Sequence, residues 1–396
     1  MDAPRLPMGE FEYDLPSSAI AQVPAEPRDS ARLLVDRGPC IPPEHRHISD
    51  LPSLLGSGDV LVVNETRVMP ARLPLRKRTG GVAEVLLLEP LNSEPQAAGD
   101  NARGDAQEDR HGAWAALVRP SRRIADGAVL VSERDPNVQV IVRQRLDRQR
   151  RAVDVLVDGV PLVEVSQAPL LEHAGEAPLP PYIDPNTARN AIAQRIGVDA
   201  FDSHAARKAL ADRYQTVYAR TDGSAAAPTA GLHLTEHVLH ALRSNGVEIA
   251  TVDLTVGLAT FAPVTAEHAD EHEMHVEHYR VPAETLAACD TAERVVAVGT
   301  TTVRALESAA LARQPAAETG TRDICGWTEL FLRRGAEFLV VDGLLTNFHL
   351  PRSSLLLLID AIIGPHWRDL YETALADGYR FLSFGDAMLL RRGSGQ

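Results

Sequence analysis

The chain has 396 residues, of which 44% are hydrophobic, so it can bury a sizeable core and form two or three domains. Its formal net charge of -14 argues against a protein that coats nucleic acid without specificity, because Lys and Arg drive such binding. No apolar run is long enough to cross a bilayer, no secretory signal opens the chain, and the three cysteines are far apart. We therefore expect a cytoplasmic, globular protein without a disulfide framework.

The first half of the chain predicts a small antiparallel barrel. From Gly58 to about Val165, short segments such as DVLVVN, AEVLLLEP and VQVIVRQ alternate with turns and no helical pattern intervenes. The polar tract from Asn92 to Gly112 predicts a mobile loop inside this unit. Its basic residues fall into three clusters: Arg67, Arg72, Arg76, Lys77 and Arg78; Arg119, Arg122 and Arg123; and Arg143, Arg145, Arg148, Arg150 and Arg151. These clusters either follow a phosphate backbone or cover the solvated face of the strands.

The second half changes to alternating strands and helices. The segments VVAVG and TTTVRALESAALA form one strand–helix pair, and EFLVVDGLLTNFHLP and SSLLLLIDAIIG form another. Strands that are apolar on both faces indicate a sheet covered by helices on both sides. The predicted fold class is α/β, with a large α/β domain (residues 1–57 and 166–396) built on a mostly parallel sheet. A smaller antiparallel β-barrel domain (residues 58–165) is inserted into it.

Three turns place small and polar residues where such a sheet presents its strand ends, which is where ligands bind in these folds. Gly299–Thr302 open a helix that carries Arg304, and free N–H groups there suit a carboxylate or a phosphate. Residues 226–233 form a turn of small side chains that ends in His233. Residues 346–351 follow a strand and offer an amide and two rings for contact with a base. Each turn could equally be an ordinary helix cap or loop.

A fourth segment, Glu271–Glu277, is rich in His and Glu. Residues 268, 272 and 275 would share one face of a helix, which is a metal-binding pattern, but no cysteine or distant carboxylate completes a site. We therefore expect no metal and interpret these groups as acid–base candidates, since a His titrates near neutral pH. A charged surface helix is the alternative.

Taken in order, these segments resemble the S-adenosylmethionine:tRNA ribosyltransferase-isomerase family of the queuosine pathway. The similarity runs almost from end to end and includes FEYDLPSSAIAQVPAEPRDSARLLV, GDVLVVNETRVMPARL, RYQTVYA, AAPTAGLHLTEHVL, HEMHVEHYRVP, VAVGTTTVRALES and VDGLLTNFHLPRSSLLLLIDAIIG. The resemblance implies transfer of the ribosyl part of S-adenosylmethionine to 7-aminomethyl-7-deazaguanine at the wobble position of the tRNA anticodon. Epoxyqueuosine is then the product, and adenine and methionine are released. S-adenosylmethionine is a consumed co-substrate, and no metal or other cofactor is implied.

The resemblance also implies which residues act. The acid–base candidates are His272, His275, Glu277 and His233, with His349 as a further possibility. Residues expected to position substrate are Asn64, Thr66, Arg67, Arg72, Arg213, Tyr214, Gln215, Pro228, Thr229, Gly231, Gly257, Thr260, Phe261, Thr300, Thr301, Arg304, Asn347 and His349. The expected partners are the tRNA anticodon loop and S-adenosylmethionine, with no membrane, and we expect a monomer.

Several positions depart from the family pattern. The block around Gly257 reads VGLATF instead of VGxGTF, Thr255 stands where a His is typical, and Glu65 replaces an Asn or Asp. The block at residues 331–335 has lost its Pro. Two alternatives therefore stay open: a paralogue with a different acceptor, and an RNA-binding relative without catalysis.

Overall fold

A computed structural model describes residues 5–91, 113–147, 150–199, 204–257, 263–313 and 322–393. The predicted loop at Asn92–Gly112 and the predicted site residues Thr260 and Phe261 lie outside these ranges. Among the described residues, none of the helices has the length and apolar character that a membrane crossing requires.

The described residues form strands and helices in the following chain order. The strands are β1 (Arg32–Val35), β2 (Glu44–His47), β3 (Asp59–Asn64), β4 (Thr66–Val68), β5 (Arg72–Lys77), β6 (Val82–Pro90), β7 (Ala113–Arg119), β8 (Val129–Ser132), β9 (Val138–Arg145), β10 (Arg150–Val157), β11 (Val160–Pro161), β12 (Thr221–Ser224), β13 (Glu248–Leu254), β14 (Glu277–Val281), β15 (Arg294–Val298), β16 (Ile324–Thr328), β17 (Gly343–Asn347) and β18 (Ala387–Arg391). The helices are α1 (Pro185–Ile196), α2 (His204–Arg213), α3 (Glu236–Ser244), α4 (Ala283–Thr291), α5 (Thr300–Ala312), α6 (Ser354–Ile363) and α7 (Trp367–Ala376).

The larger unit is a nine-stranded mixed sheet in the order β16-β14-β13-β3-β15-β17-β18-β1-β2. The predicted α/β class is confirmed, and the parallel pairing that strand–helix alternation predicts holds for the four central strands, β13-β3-β15-β17. Antiparallel pairs occur on either side of this centre. The parallel centre places the carboxyl ends of β3, β15 and β17 at one edge, where a ligand site is expected.

The predicted barrel is also confirmed. Six antiparallel strands close in the order β10-β7-β6-β5-β8-β9, because β9 pairs with β10 as well as with β8. Alternate residues point inward, so Leu73 and Leu75 of β5 are buried while Arg76 is exposed. The inward side chains form a hydrophobic cluster of their own, separate from those that cover the large sheet.

The predicted domain boundary at residue 58 is wrong for β3. This strand lies at the centre of the large sheet, between β13 and β15, and not in the barrel. The physical reason is its burial: all six residues of Asp59–Asn64 are buried, as in a strand covered on both faces. A strand of a six-stranded barrel alternates instead between buried and solvent-facing positions.

Candidate functional site

A pocket lies where β15 and β17 end. It encloses about 600 Å³ of space, including the part that is open to solvent. Its walls come from six places that are distant in sequence: Tyr182, the turn after β12, Val256, the start of α5, the segment from the end of β17 to the start of α6, and residues 382–383. Of the predicted site residues, the pocket brings together Pro228, Thr229, Thr300, Thr301, Asn347 and His349.

The start of α5 forms one wall of the pocket. Gly299, the residue before the helix, has a φ of +86° and a ψ of 152°, a backbone conformation that is almost restricted to glycine. Gly299 has no side chain that could cap the helix, so no hydrogen bond from a capping side chain satisfies the N–H groups of the first turn. The hydroxyl of Thr301 is buried and has no hydrogen-bond partner among the described residues. This wall therefore presents unsatisfied donors and the positive end of a helix dipole.

A hydrogen-bonded pair forms the opposite wall. Thr229 donates to the side-chain oxygen of Asn347 at 3.0 Å, and the amide nitrogen of Asn347 donates to the carbonyl of Leu382 at 3.1 Å. His349 lies beside them with its Nε2 atom 3.0 Å from the hydroxyl of Thr346. Burial lowers the pKa of His349 to about 3, so its imidazole is neutral at physiological pH.

His233 does not line the pocket. Its Nδ1 lies 3.0 Å from the carbonyl oxygen of Ala230 and its Nε2 lies 2.9 Å from that of Gly385. Burial lowers its pKa while the two carbonyl contacts act to raise it, and a neutral ring can donate to only one of these two oxygens. Gly231 is needed for the same packing, since a Cβ there would lie 1.9 Å from the hydroxyl oxygen of Tyr218. His233 and Gly231 therefore support the pocket wall without lining the pocket.

The helical face predicted for residues 268, 272 and 275 is wrong. A short 3-10 helix, Ala269–Glu271, is followed by extended chain that leads into β14. His272 is half-buried and packs edge-on against Phe331, with ring centroids 5.6 Å apart, whereas His275 is exposed. Burial, together with the nearby charge of His275, lowers the pKa of His272. Neither histidine lines the pocket.

Glu277 and Arg304 form a buried ion pair. Arg304 also donates from Nε to the carbonyl of Leu330 at 3.0 Å, so its guanidinium points away from the pocket toward β14 and β16. The other carboxylate oxygen of Glu277 lies 3.5 Å from the backbone nitrogen of Gly257. The predicted role of Arg304 as a direct ligand for a carboxylate is not supported, because internal partners hold its guanidinium.

Asn64 joins β3 to β13, and Thr66 joins β4 to β12. The side chain of Asn64 donates to the carbonyl of Leu254 at 2.9 Å and accepts from the backbone N–H of the same residue at 3.2 Å. Thr66 is buried, with its hydroxyl 3.2 Å from that of Ser224. These contacts are internal and position the strand ends beside the pocket.

Five further predicted residues lie outside the pocket. Arg67 is exposed and donates to the carbonyl of Ala219, whereas Arg72 forms an ion pair with Glu84 at 2.6 Å on the barrel. The other three lie at and just after the end of α2. Arg213 is buried and donates to the carbonyl of Ala25, Tyr214 packs edge-on against Phe384, and Gln215 exchanges two hydrogen bonds with the backbone of Val68. Burial lowers the pKa of Arg213 to about 9.

Sequence reasoning missed several residues that line the pocket. The hydroxyl of Tyr182 lies 2.6 Å from that of Ser383, and both residues line the pocket, as does Ser353, which caps the start of α6. The motifs PLPPYI and HLPRSS contain Tyr182 and Ser353, and their Pro and Ser residues were the available signal. Among the described residues, no group of three or more His, Cys, Asp or Glu side chains could hold a metal ion.

Comparison with known proteins connects this geometry to a family. Residues 8–390 match the family described as queuosine biosynthesis protein. Two proteins named S-adenosylmethionine:tRNA ribosyltransferase-isomerase are similar along almost their whole length. The protein from Rubrobacter xylanophilus is 45% identical over 97% of each chain, and that from Moorella thermoacetica is 44% identical over 96% of this chain and 98% of its own.

A solved structure is also similar, that of S-adenosylmethionine tRNA ribosyltransferase from Thermotoga maritima. It is 32% identical, covers 96% of this chain and 99% of its own, and superposes with a TM-score of 0.47. The family match and the relatives above establish that this chain belongs to the S-adenosylmethionine:tRNA ribosyltransferase-isomerase family of queuosine biosynthesis proteins.

Proposed function

We propose that this chain transfers and isomerises the ribosyl moiety of S-adenosylmethionine onto 7-aminomethyl-7-deazaguanine in tRNA. The products are epoxyqueuosine in the tRNA, adenine and methionine. The observation that carries the proposal is the near-full-length membership of the family, with 40–45% identity to relatives that bear this activity in their names. The pocket at the ends of β15 and β17 supplies the site.

The walls of the pocket fit the methionine end of the co-substrate. A carboxylate at the start of α5 would accept hydrogen bonds from N–H groups of the first turn, near Thr300 and Thr301, and would gain from the helix dipole. The Thr301 hydroxyl would obtain the partner that it lacks. Asn347 and Thr229 are already held by hydrogen bonds, so they present fixed polar groups to a ring.

The reaction needs a base and an acid. The positive sulfonium acidifies the neighbouring ribose C–H; a base removes that proton, the bond from the sugar to adenine breaks, and the departing purine takes a proton from an acid. The candidates for this acid–base work are His272 and His275, on the segment that leads into β14, and His349, which lines the pocket. The lowered pKa of His272 keeps it neutral at pH 7, as a proton acceptor must be. Glu277 positions this segment through its ion pair with Arg304 of α5.

We further propose that the partner is the anticodon loop of the tRNA and that the chain acts in the cytoplasm as a monomer. S-adenosylmethionine serves as a consumed co-substrate, and the reaction as written requires no metal. Light scattering of the purified chain tests the monomer, because a dimer would have twice its 42.9 kDa mass.

The test is incubation of the purified chain with S-adenosylmethionine and tRNA that carries the deazaguanine base, followed by chromatography of adenine and methionine. We expect adenine and methionine to be released in equal amounts, and neither to be released with tRNA that lacks the deazaguanine base. Binding of tRNA without adenine release would favour the non-catalytic relative. Adenine release that depends on another nucleoside would favour the paralogue.

A further inference from the structure

The register of the barrel strands brings members of all three arginine clusters to one end of the barrel. The turn between β5 and β6 carries Arg78, and Arg119 ends β7 beside the start of β6. Arg145 ends β9 and lies opposite Arg151 near the start of β10. A 3-10 helix that follows β7 ends at Arg123, whose carbonyl accepts a hydrogen bond from Lys77 at the end of β5. We call Arg78, Arg119, Arg123 and Arg145 the basic end.

Four other arginines of this unit are neutralised by local carboxylates. The ion pairs are Arg76 with Glu133, Arg143 with Asp154, Arg150 with Asp147, and Arg151 with Asp126. By contrast, all four members of the basic end are exposed, and none forms an ion pair with another described residue. Since nearby carboxylates already have partners, the basic end keeps an uncompensated positive charge on a chain whose net charge is -14.

The basic end lies away from the junction with the larger unit. At the opposite end of β5, the backbone of Arg72 pairs with that of Glu176, and Gly175 packs against Pro70. From there to Lys77 the strand has six residues, which span roughly 20 Å at about 3.3 Å per residue. A ligand that contacts both the larger unit and the basic end must span this distance, as the phosphates of an RNA stem do and a nucleoside or an amino acid does not.

We propose that the basic end binds the phosphate backbone of a tRNA stem while the base to be modified occupies the pocket. This inference rests on the proposed function for the identity of the RNA. The contact is electrostatic and independent of sequence, because guanidinium groups on a convex barrel surface reach phosphates and not the edges of paired bases. It offsets the repulsion that an acidic protein exerts on a polyanion.

The test compares tRNA binding at several salt concentrations for the wild type and the triple variant R78Q/R119Q/R145Q. Each phosphate contact contributes about 0.7 to 0.9 to the slope of log Kd against log salt concentration. We therefore expect the slope to decrease in magnitude by about two to three, and the Kd near physiological salt to rise about tenfold or more. The Kd for S-adenosylmethionine should stay unchanged, which also verifies that the variant is folded.

Two further variants make the result specific. R78K/R119K/R145K retains the charges and should retain the slope. R243Q/R322Q/R391Q changes the net charge equally at three exposed arginines outside the barrel and should also bind like the wild type. An unchanged slope in R78Q/R119Q/R145Q, or an equal loss in R243Q/R322Q/R391Q, would overturn the proposal. The proposed function fails separately, if the wild type releases no adenine in the presence of tRNA.

Discussion

Two neighbouring threonines in the first turn of α5 differ in one contact. The hydroxyl of Thr302 donates to the carbonyl of Val298 at 2.7 Å, whereas that of Thr301 has no partner among the described residues and lines the pocket. A buried hydroxyl without a partner costs free energy unless a ligand satisfies it. The Thr302 hydroxyl therefore stabilises the fold, whereas the Thr301 hydroxyl is available to a substrate.

The variant Thr301→Val should therefore weaken binding of S-adenosylmethionine about five- to tenfold, through loss of about 1 kcal/mol of hydrogen bonding. Its free energy of unfolding should not fall, because valine has the same shape and removes an unsatisfied group. Titration calorimetry measures the first quantity and urea denaturation the second. The matched control is Thr302→Val, which should lose about 1 kcal/mol of stability and keep the affinity. The reverse pattern would contradict our placement of the co-substrate.

His349 makes stability depend on pH. Burial lowers its folded-state pKa to about 3, below the ordinary histidine value of 6.5, so the unfolded chain binds more protons between these two pH values. This contribution to stability is present above pH 6.5 and is lost as the pH falls toward 3. From pH 6 to pH 5 the free energy of unfolding should decrease by about 1 kcal/mol through this residue.

Urea denaturation of the wild type and of His349→Gln at both pH values measures that decrease. The variant should lose less stability than the wild type over the interval, since glutamine does not titrate. Burial also lowers the pKa of His233, so part of the acid sensitivity should persist in the variant. Equal losses in both proteins would show that His349 is protonated in the folded state.

At the scale of secondary structure, the Glu277–Arg304 pair joins β14 to α5. Both side chains are almost fully buried, with 5% and 7% of their surfaces exposed. Glu277→Gln would leave the guanidinium buried without its counter-ion, so we expect a loss of about 3 kcal/mol of stability by urea denaturation. An exposed pair, Arg313 with Asp290, provides the control: Asp290→Asn should cost less than about 1 kcal/mol. Similar losses for the two variants would mean that the Glu277–Arg304 pair is hydrated and does not stabilise the contact between β14 and α5.

The same scale shows what the sequence can and cannot predict. Alternation and turn residues are sufficient for the barrel, and strand–helix alternation is sufficient for the central parallel pairs. The sequence does contain a signal for the place of β3, because its four consecutive apolar residues, Val60–Val63, indicate a strand covered on both faces. The absence of a helix at residues 272–276 is harder to predict, because the His and Glu spacing matches a helix. Only the alternating burial of Glu277, Tyr279 and Val281 identifies the adjoining segment as a strand.

Within the site, the sequence identifies the loops but not the direction of each side chain. The glycine- and threonine-rich turns at the strand ends do line the pocket, as the general rule for α/β sheets predicts. Whether a polar group faces a ligand depends on which internal partners the fold supplies. Arg304, Asn64 and His233 looked like ligand-binding groups, yet each is satisfied by contacts from segments distant in sequence. No local pattern contains that information.

At the scale of the whole molecule, we propose that the pocket in the mixed sheet holds the reacting groups and that the barrel binds the rest of the RNA. Both proposals require that S-adenosylmethionine gives its ribosyl unit to a base in tRNA. Mass analysis of the nucleosides from tRNA after the reaction tests this most directly. We predict that the deazaguanosine gains the mass of S-adenosylmethionine less adenine and methionine. A gain of a methyl group, or an unchanged nucleoside while adenine accumulates, would contradict the account.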